Sequence, residues 1–400
     1  MRVEAVFCAV GFDIISAMEM PEYEIGRTVF GSAAEIAAAY DVFRKQTIDE
    51  TRLAPTREDP FGGVRRGLKD EASITDVATF DGREESTLTF APSTKPGWWI
   101  RRCDLPEQLD TEVDISNLWS SAQNLVLRSG SHRNYLRMVE HIIALKVGLG
   151  LDDCLLKVQS GDPPLFDDSS LPLVKTVEKC GIVDSEEVRG KSEEISEEVR
   201  GKSEELRSGD YINKNETSAT LHSSLFTLHS PNYVTVKEPV AFGGKRGDFL
   251  LFLPAKDGER NLRIDCAIKW NTCIGLQRIL FDVTPETFTY ASLARTNCTR
   301  NQYFAALTIG KLFAATRHWG YTKKNILIHG KHGWHNEPRF PVGDKFLEPV
   351  WHRATLDLMA AIALIRGRFV GTVVSYRAGH TMDCDAVRAL YRNDLLTMLK

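Results

Sequence analysis

An eleven-residue repeat near the middle of the chain is the feature that most restricts how it can fold. Residues 185–195 have the sequence SEEVRGKSEEI, and residues 196–206 repeat it with Leu in place of the final Ile. Glu and Lys dominate the repeat, and each copy contains a glycine, which weakens a helix by roughly 1 kcal/mol relative to alanine. A segment with so little apolar surface is typical of a solvated linker. The sequence therefore predicts a charged insert or linker over residues 184–231, with a folded part on each side.

The two parts have the same order of predicted elements. Alternating apolar residues bounded by turn residues predict strands, and apolar residues at intervals of three to four predict helices. In the first part (74–183) the predicted elements are strands 86–90, 98–101 and 154–158 and helices 137–149 and 172–180. In the second part (232–400) they are strands 234–240, 249–253, 262–269, 277–282, 326–329 and 369–376 and helices 302–316, 351–366 and 383–399. The pattern indicates an α+β layout used twice.

The residues before the first part are harder to assign. Residues 33–45 are rich in Ala and Ile and predict one helix. Residues 51–70 are polar, with two prolines and a Gly62-Gly63 pair, and are typical of a linker. Acidic residues near the start are unlike an organellar transit peptide. We therefore expect residues 1–73 to be an N-terminal extension of unknown role.

Composition excludes several classes of protein. The chain has 400 residues, of which 42% are hydrophobic and 26% charged, as in ordinary globular proteins. Its formal net charge of -4 gives no reason to expect a nucleic-acid ligand. We find no apolar run of the roughly 20 residues that a membrane span needs. The eight cysteines include no CxxC pair, which favours reduced thiols in a reducing compartment.

Three small groups of residues could carry chemistry. Glu140 and His141 are adjacent in an apolar predicted helix, where unpaired charges are costly to bury. His352 and Asp357 lie near the start of the strongest helix of the second part, and together offer N and O ligands for zinc. Their i,i+5 spacing places them about 140° apart on a regular helix, so shared ligation requires a π-bulge or a loosened first turn. His380 follows a predicted strand, well placed for proton transfer. Taken one at a time, each group is also explained by ordinary structural roles.

A fourth group is the run of histidines at positions 329, 332 and 335. Their spacing of three could serve a metal ion, but the segment is rich in glycine and contains no interleaved carboxylate or cysteine. We favour an ordinary hairpin loop for these residues.

Several motifs, taken in order, resemble one known family. The segments concerned are 86–102 (STLTFAPSTKPGWWIRR), the Met138-Val-Glu-His141 helix continuing to Gly150, 163–174 (PPLFDDSSLPLV), the Ala294-Arg-Thr296 motif and 356–390. In this order they resemble the zinc-dependent UDP-3-O-acyl-N-acetylglucosamine deacetylases, which remove an acetyl group in lipid A biosynthesis. The resemblance extends from residue 74 to the C-terminus, apart from the insert. It implies two related subdomains, each a sheet with a pair of helices, packed as a sheet–helix–helix–sheet sandwich.

The resemblance also implies roles for particular residues. Zinc would be held by three ligands with a water in the fourth position, the pattern of catalytic zinc sites. The implied roles are zinc ligation by His141, His352 and Asp357, proton acceptance by Glu140, support of the leaving amine by His380, oxyanion binding by Thr296, and contact with the diphosphate of the UDP-sugar by Arg353 and Arg377.

This sequence departs from the family pattern at several positions. The family has its ligand pair as His-x-x-x-Asp, whereas here one extra residue separates His352 from Asp357. The second aspartate, which supports the catalytic histidine in the family, is Ala361. Further differences are Asn297 after the Ala-Arg-Thr motif, Asp81 in place of a turn histidine, and Asp168 in place of a glycine.

Two hypotheses follow from these observations. The first is a zinc-dependent hydrolase that deacetylates UDP-3-O-acyl-N-acetylglucosamine, with residues 303–312 lining a passage for the acyl chain or forming plain core. The alternative is a catalytically impaired homologue that keeps the fold and binds a ligand or partner. Either would be a monomer without a membrane span, located in the cytoplasm, or in the mitochondrial matrix if the source is eukaryotic.

Overall fold

The computed structural model describes residues 20–80, 84–185, 231–313 and 320–399, and it has a mixed α+β architecture with several sheets. The predicted insert, apart from its first two residues and its last, lies outside the described residues, so that part of the prediction stays open. In chain order the strands are β1 (Arg27–Phe30), β2 (Glu50–Arg52), β3 (Arg66–Leu68), β4 (Ala72–Val77), β5 (Glu85–Ala91), β6 (Trp98–Arg102), β7 (Asp110–Glu112), β8 (Leu118–Ser120), β9 (Val126–Arg128), β10 (Tyr135–Arg137), β11 (Cys154–Val158), β12 (Ile182–Asp184), β13 (Tyr233–Val236), β14 (Val240–Gly243), β15 (Phe249–Leu253), β16 (Leu262–Lys269), β17 (Leu276–Asp282), β18 (Thr296–Thr299), β19 (Ile326–His329), β20 (Pro341–Val342), β21 (Lys345–Phe346), β22 (Arg368–Phe369), β23 (Gly371–Tyr376) and β24 (Leu396–Met398). The helices are α1 (Ala33–Phe43), α2 (Glu140–Gly148), α3 (Leu171–Cys180), α4 (Pro285–Ala291), α5 (Arg300–Phe313), α6 (Glu348–His352), α7 (Met359–Ala363) and α8 (His380–Arg392).

The first part of the chain forms a five-stranded sheet in the order β4-β5-β11-β6-β7. Strand β11 pairs antiparallel with β5 and parallel with β6. The alternation that predicted these strands is present, since Leu88 and Phe90 of β5 are fully buried while the residues between them are partly exposed. Helix α3 packs against β4 and β5.

The second part contributes most of a seven-stranded sheet in the order β1-β14-β15-β23-β16-β17-β2. Its central strands are buried on both faces, which explains the unbroken apolar sequence FLLFL of β15. Leu250 and Phe252 join the main core, whereas Phe249 and Leu251, on the opposite face, pack beneath helix α1.

The two parts meet through their helices. Helix α2 of the first part packs against α7 and against the π-helical segment Arg353–Leu358 that joins α6 to α7. Every residue of the π segment and of α7 is buried. One continuous core includes Ile143 from the first part and Leu356 from the second.

The N-terminal residues are part of the second sheet, which differs from the separate extension and linker that the sequence predicted. Strand β1 pairs with β14 at one edge, and β2 pairs with β17 at the other. Strand β3, also within the predicted linker, pairs with β12 of the first part. Strands of three or four residues at sheet edges are too short to show a period of two, and the sequence pattern did not indicate them.

For three of the predicted helices, a neighbouring element explains why the bounds differ in the structure. The helix predicted over 137–149 begins at Glu140, because Arg137 still belongs to β10. The helix predicted over 351–366 begins at Glu348 and is interrupted by the π segment. The closing helix stops at Arg392, where Asn393 and the left-handed Asp394 (φ 51°) turn the chain into β24.

Two expectations drawn from composition can be compared with the described residues. Within them, none of the helices is both long and apolar enough to cross a bilayer. The cysteines in the described ranges are free thiols, as predicted.

A buried ion pair between Arg278 and Asp265 holds the N-terminal residues against the seven-stranded sheet. Arg278 donates two hydrogen bonds to Asp265 (2.8 and 2.7 Å), and both side chains are fully buried. Arg278 also donates to the carbonyl oxygens of Phe43 and Gln46, and Tyr23 donates to Asp265 at 2.8 Å. The pair therefore links β16 and β17 to the end of α1, to the loop that follows it and to Tyr23 before β1.

Replacement of Arg278 by Met is predicted to lower the free energy of unfolding by about 3–5 kcal/mol, because it leaves the buried Asp265 carboxylate without its cation. Chemical denaturation measures the change. The matched control is Arg44→Met, which removes a half-exposed arginine paired with Asp41 and should cost less than about 1 kcal/mol. Equal losses of unfolding free energy in the two variants would contradict this role of the Arg278–Asp265 pair.

Candidate active site

The first turn of helix α2 supplies Glu140 and His141, both nearly fully buried. Glu140 accepts a hydrogen bond from the backbone N–H of Leu125 (3.0 Å). The Nε2 atom of His141 lies 3.1 Å from the hydroxyl of Thr296, which is the first residue of β18. Glu140 and His141 are thus fixed by the backbone of one helix and face groups from other elements.

The other nitrogen of His141 is held by two serine hydroxyls. Ser169 and Ser170 each place Oγ 3.4 Å from Nδ1 of His141. Ser169 donates its own proton to the carbonyl of Ala294, and Ser170 donates to the carbonyl of His141. Both oxygens can therefore only accept from Nδ1–H, which favours the tautomer whose Nε2 lone pair faces Thr296.

His352 and Asp357 are brought together by the π segment that the i,i+5 spacing required. His352 ends α6, and the π segment runs from Arg353 to Leu358. Its wider turn brings residues five apart to one face, so Nδ1 of His352 lies 3.6 Å from Oδ1 of Asp357. The predicted local π geometry is confirmed.

The Thr296 hydroxyl lies between the two imidazoles. Its Oγ1 is 3.1 Å from Nε2 of His141 and 3.0 Å from Nε2 of His352, and the ring centres are 5.4 Å apart. One hydroxyl proton can satisfy only one of two nitrogen lone pairs. The two parts of the chain thus each direct one imidazole nitrogen at a single point.

A buried ion pair fixes Thr296 relative to the helix that carries His352. Arg295 donates to Glu348 through Nε (2.7 Å), Nη2 (3.0 Å) and its backbone N–H (3.0 Å). Glu348 is the first residue of α6 and is fully buried. The residue before Thr296 is in this way bound to the start of the helix that ends in His352.

His380 approaches the same carboxylate from the start of α8. Its Nε2 lies 3.0 Å from Oδ1 of Asp357, an ion-pair distance at which the two groups are not aligned for a hydrogen bond. A cavity of about 810 Å³ is lined by Asp357, His380, Arg353 and Arg377, together with Asn297. Further basic residues on its wall are Lys245, Arg246 and Lys269.

The electrostatics favour the protonation states that metal ligands need. Burial lowers the pKa of His141 to about 3, and burial likewise lowers the pKa of His352, so both imidazoles are neutral. Burial opposes ionisation of Asp357, but the positive His380 and the His352 ring outweigh it and hold the pKa of that carboxyl below its ordinary value. The Asp357 charge raises the pKa of His380 to about 9, and burial raises the pKa of Glu140 to about 7.

The chemical types of these side chains suit a zinc ion. Two neutral imidazoles and one carboxylate are ligands of catalytic zinc sites, and each is in its ligating protonation state. Across the described ranges, however, no three His, Cys, Asp or Glu side chains stand close enough together to form a finished metal cluster. Zinc ligation by His141, His352 and Asp357 therefore stays a prediction.

Comparison with known proteins identifies the family. A match to UDP-3-O-acyl N-acetylglycosamine deacetylase covers residues 65–210 and 217–392. The chain belongs to this deacetylase family. Curated relatives named UDP-3-O-acyl-N-acetylglucosamine deacetylase from Brucella ovis, Brucella abortus and Brucella melitensis are each 22% identical to it over 333 residues. The alignments span 80% of this chain and 93% of each relative.

Most of the site residues predicted for this deacetylase family member are close together in the structure. His141, Thr296, His352, Asp357 and His380 are connected by the contacts described above, and Arg353 and Arg377 line the cavity. Glu140 precedes His141 on α2, and its carboxyl interacts electrostatically with His380 and Asp357. Their roles are not tested by these contacts and stay predictions. The histidine run forms the predicted hairpin, in which His329 bridges to Trp334.

Sequence reasoning missed the residues that orient the site. Glu348, Ser169, Ser170 and Asp383 are all buried and all hydrogen-bonded to predicted site residues or their neighbours. The only available signal was local: Glu348 directly precedes Pro349, and the two serines follow two aspartates. Neither pattern indicates a distant partner.

The raised pKa of Glu140 predicts how the stability of the metal-free protein depends on pH. Between its ordinary value of 4.5 and about 7, the folded state keeps the Glu140 proton that the unfolded state releases. Stability contributed by this group therefore falls as pH rises through that window. Each tenfold change in proton affinity corresponds to about 1.4 kcal/mol. The free energy of unfolding of Glu140→Gln, relative to that of wild type, should therefore rise by up to about 3 kcal/mol between pH 5 and pH 8.

Urea denaturation of both chelated proteins at several pH values checks this prediction. Glu178→Gln, at an exposed position on α3, is the matched control and should differ from wild type by the same amount at every pH. A Glu140→Gln difference that does not change with pH would contradict the inferred burial of the Glu140 carboxyl.

Proposed function

We propose that the chain is a zinc-dependent hydrolase that deacetylates UDP-3-O-acyl-N-acetylglucosamine, giving the free amine and acetate in lipid A biosynthesis. The observation that carries the proposal is the convergence of His141 from one part of the chain with His352 from the other, at the Thr296 hydroxyl. Membership of the deacetylase family supports the reaction class.

In this proposal His141, His352 and Asp357 would hold Zn²⁺, which would supply Lewis acidity to the acetyl carbonyl and lower the pKa of the attacking water. Glu140 takes a proton from the attacking water, a role suited to a carboxylate whose pKa is about 7. His380, cationic because of its pKa of about 9, protonates the amine as the C–N bond breaks. The Thr296 hydroxyl donates to the oxyanion that forms on the acetyl carbonyl.

The walls of the cavity suit a nucleotide sugar. Arg377 is exposed at the wall of the cavity, with Lys245, Arg246 and Lys269 on the same wall, and these cations can neutralise a diphosphate. Arg353 lines the cavity as well, but two of its nitrogens are already bound by the protein. We propose Arg377 as the principal diphosphate contact.

An apolar cluster near Glu140 is the proposed location of the acyl chain. Met138, two residues before Glu140, packs with Leu165, Tyr303, Ile326 and Ile328. Tyr303 belongs to the segment that the sequence predicted as a passage lining. Packing in the hydrophobic core explains the same contacts. The dependence of activity on acyl-chain length therefore tests whether the cluster binds the acyl chain.

The finer architectural predictions also remain proposals. We propose that the inward packing of α2 on α7 forms the helical layers of a sheet–helix–helix–sheet sandwich. We propose further that the chain acts as a monomer in a reducing compartment, the cytoplasm or, for a eukaryotic source, the mitochondrial matrix.

A second candidate function is ligand binding without turnover. Ala361 stands where the family has the aspartate that supports its catalytic histidine, and it is buried among apolar residues. A protein that binds the UDP-sugar tightly and releases no acetate would have this function.

The proposed reaction predicts acetate release from UDP-3-O-acyl-N-acetylglucosamine by the zinc-loaded protein, abolished by a chelator and restored by Zn²⁺. A panel of acyl lengths, with UDP-N-acetylglucosamine as the unacylated control, measures both activity and the acyl contribution. His352→Ala should lose bound zinc and reduce the rate by roughly 1000-fold, since several kcal/mol of transition-state stabilisation go with the metal.

His332→Ala and His335→Ala, in the hairpin loop, are the matched controls and should keep both zinc and activity. If His352→Ala retains full zinc, the proposed ligand set is wrong. Substrate binding with no acetate release in wild type would establish the second candidate function.

A further inference from the structure

Arg353 is bound by the protein on both sides of His380. Its Nε donates to the carbonyl of Ala378 (2.8 Å), two residues before His380. Its Nη2 donates to Oδ1 of Asp383 (2.6 Å), three residues after His380, and also to Ser375 at 3.2 Å. A single guanidinium therefore holds the end of β23 and the first turn of α8.

The Arg353–Asp383 pair is buried at the wall of the cavity. Arg353 is 7% exposed and Asp383 is 1% exposed. The backbone N–H of Asp383 also donates to the carbonyl of Gly379, which closes the turn that begins at His380. A guanidinium that donates from Nε to the Ala378 carbonyl and from Nη2 to the Asp383 carboxylate fixes geometry as well as charge.

The position of the pair suggests what it does. Arg353 is the first residue of the π segment, between the ligand candidates His352 and Asp357. His380 reaches Asp357 at 3.0 Å, but its Nε2 has no aligned hydrogen-bond partner in the described residues. Since Ala361 offers no carboxylate, the orientation of His380 must come from elsewhere.

We propose that Arg353 and Asp383 form a positioning pair that holds His380 against Asp357, in place of the carboxylate absent at Ala361. Arg353 acts through the backbone on both sides of His380, so it is a positioning residue and not a principal diphosphate contact. The kinetic part of this inference rests on the proposed deacetylase function. The geometric part does not depend on it.

Kinetics of Arg353→Met and Asp383→Asn test the pair. Both variants should lower kcat by about 10- to 100-fold while KM changes less than about threefold and zinc content stays at the wild-type level. Arg353→Lys, which keeps a cation for Asp383 but lacks the second arm of the guanidinium, should recover part of the lost kcat. Arg388→Met, which removes an arginine of the same helix that pairs with Asp385, is the matched control and should leave kcat unchanged.

Two kinetic outcomes would overturn the proposal. An increase in KM of more than about tenfold at unchanged kcat would make Arg353 a diphosphate contact. Loss of zinc in parallel with kcat would show that Arg353 acts on the metal ligands. Thermal melting identifies any variant that fails to fold, in which case Asp383→Asn, of nearly equal shape, decides the question.

A crystal structure of Asp383→Asn or Arg353→Lys provides a readout that does not need activity. The distance between Nε2 of His380 and Oδ1 of Asp357 should lengthen beyond 4 Å, the limit of an ion pair. An unchanged distance would overturn the proposal even if wild type proves inactive. If wild type releases no acetate but the distance lengthens in the variant, the proposed function is rejected and the positioning pair is retained.

Discussion

The structure depends on the packing of helix α2 against the π segment and helix α7. These helices meet through apolar residues and through Lys146 of α2, which donates to the carbonyl oxygens of Ala363 and Ile365. They join the two parts of the chain in one core. The contact is also what brings His141 within reach of the point that His352 faces. Because close-packed interiors transmit strain, a change at this helix contact would also displace the site residues.

The π segment resolves a conflict between sequence spacing and geometry. With five residues from His352 to Asp357, a regular helix would direct the two side chains to different faces. A π-helical turn accommodates the extra residue in fully buried surroundings and brings His352 and Asp357 onto one face of the helix. Such turns are rare in proteins and are frequently found at functional sites. The same turn begins at Arg353, which binds Asp383, so the altered spacing and the positioning of His380 are connected.

The sequence predicted features that depend on local pattern. Most of the central strands of both sheets, the apolar helices and the π geometry follow from periodicity and from the spacing of His352 and Asp357. It did not predict features that depend on partners far along the chain. Strands β1 and β2 are identified only by pairing with β14 and β17, and Arg353 could be assigned to Asp383 only once both were placed. The family resemblance implied a diphosphate contact for Arg353, and its burial against Asp383 is what favours a positioning role instead.

The central claim is that one zinc ion joins His141 of the first part to His352 and Asp357 of the second. X-ray absorption at the zinc edge of the loaded protein tests it most directly, because the spectrum separates imidazole, oxygen and sulfur ligands. We predict two imidazoles and oxygen ligands at about 2.0–2.2 Å with no sulfur, and one imidazole fewer in His352→Ala. A sulfur shell at about 2.3 Å, or two imidazoles retained in His352→Ala, would contradict the account.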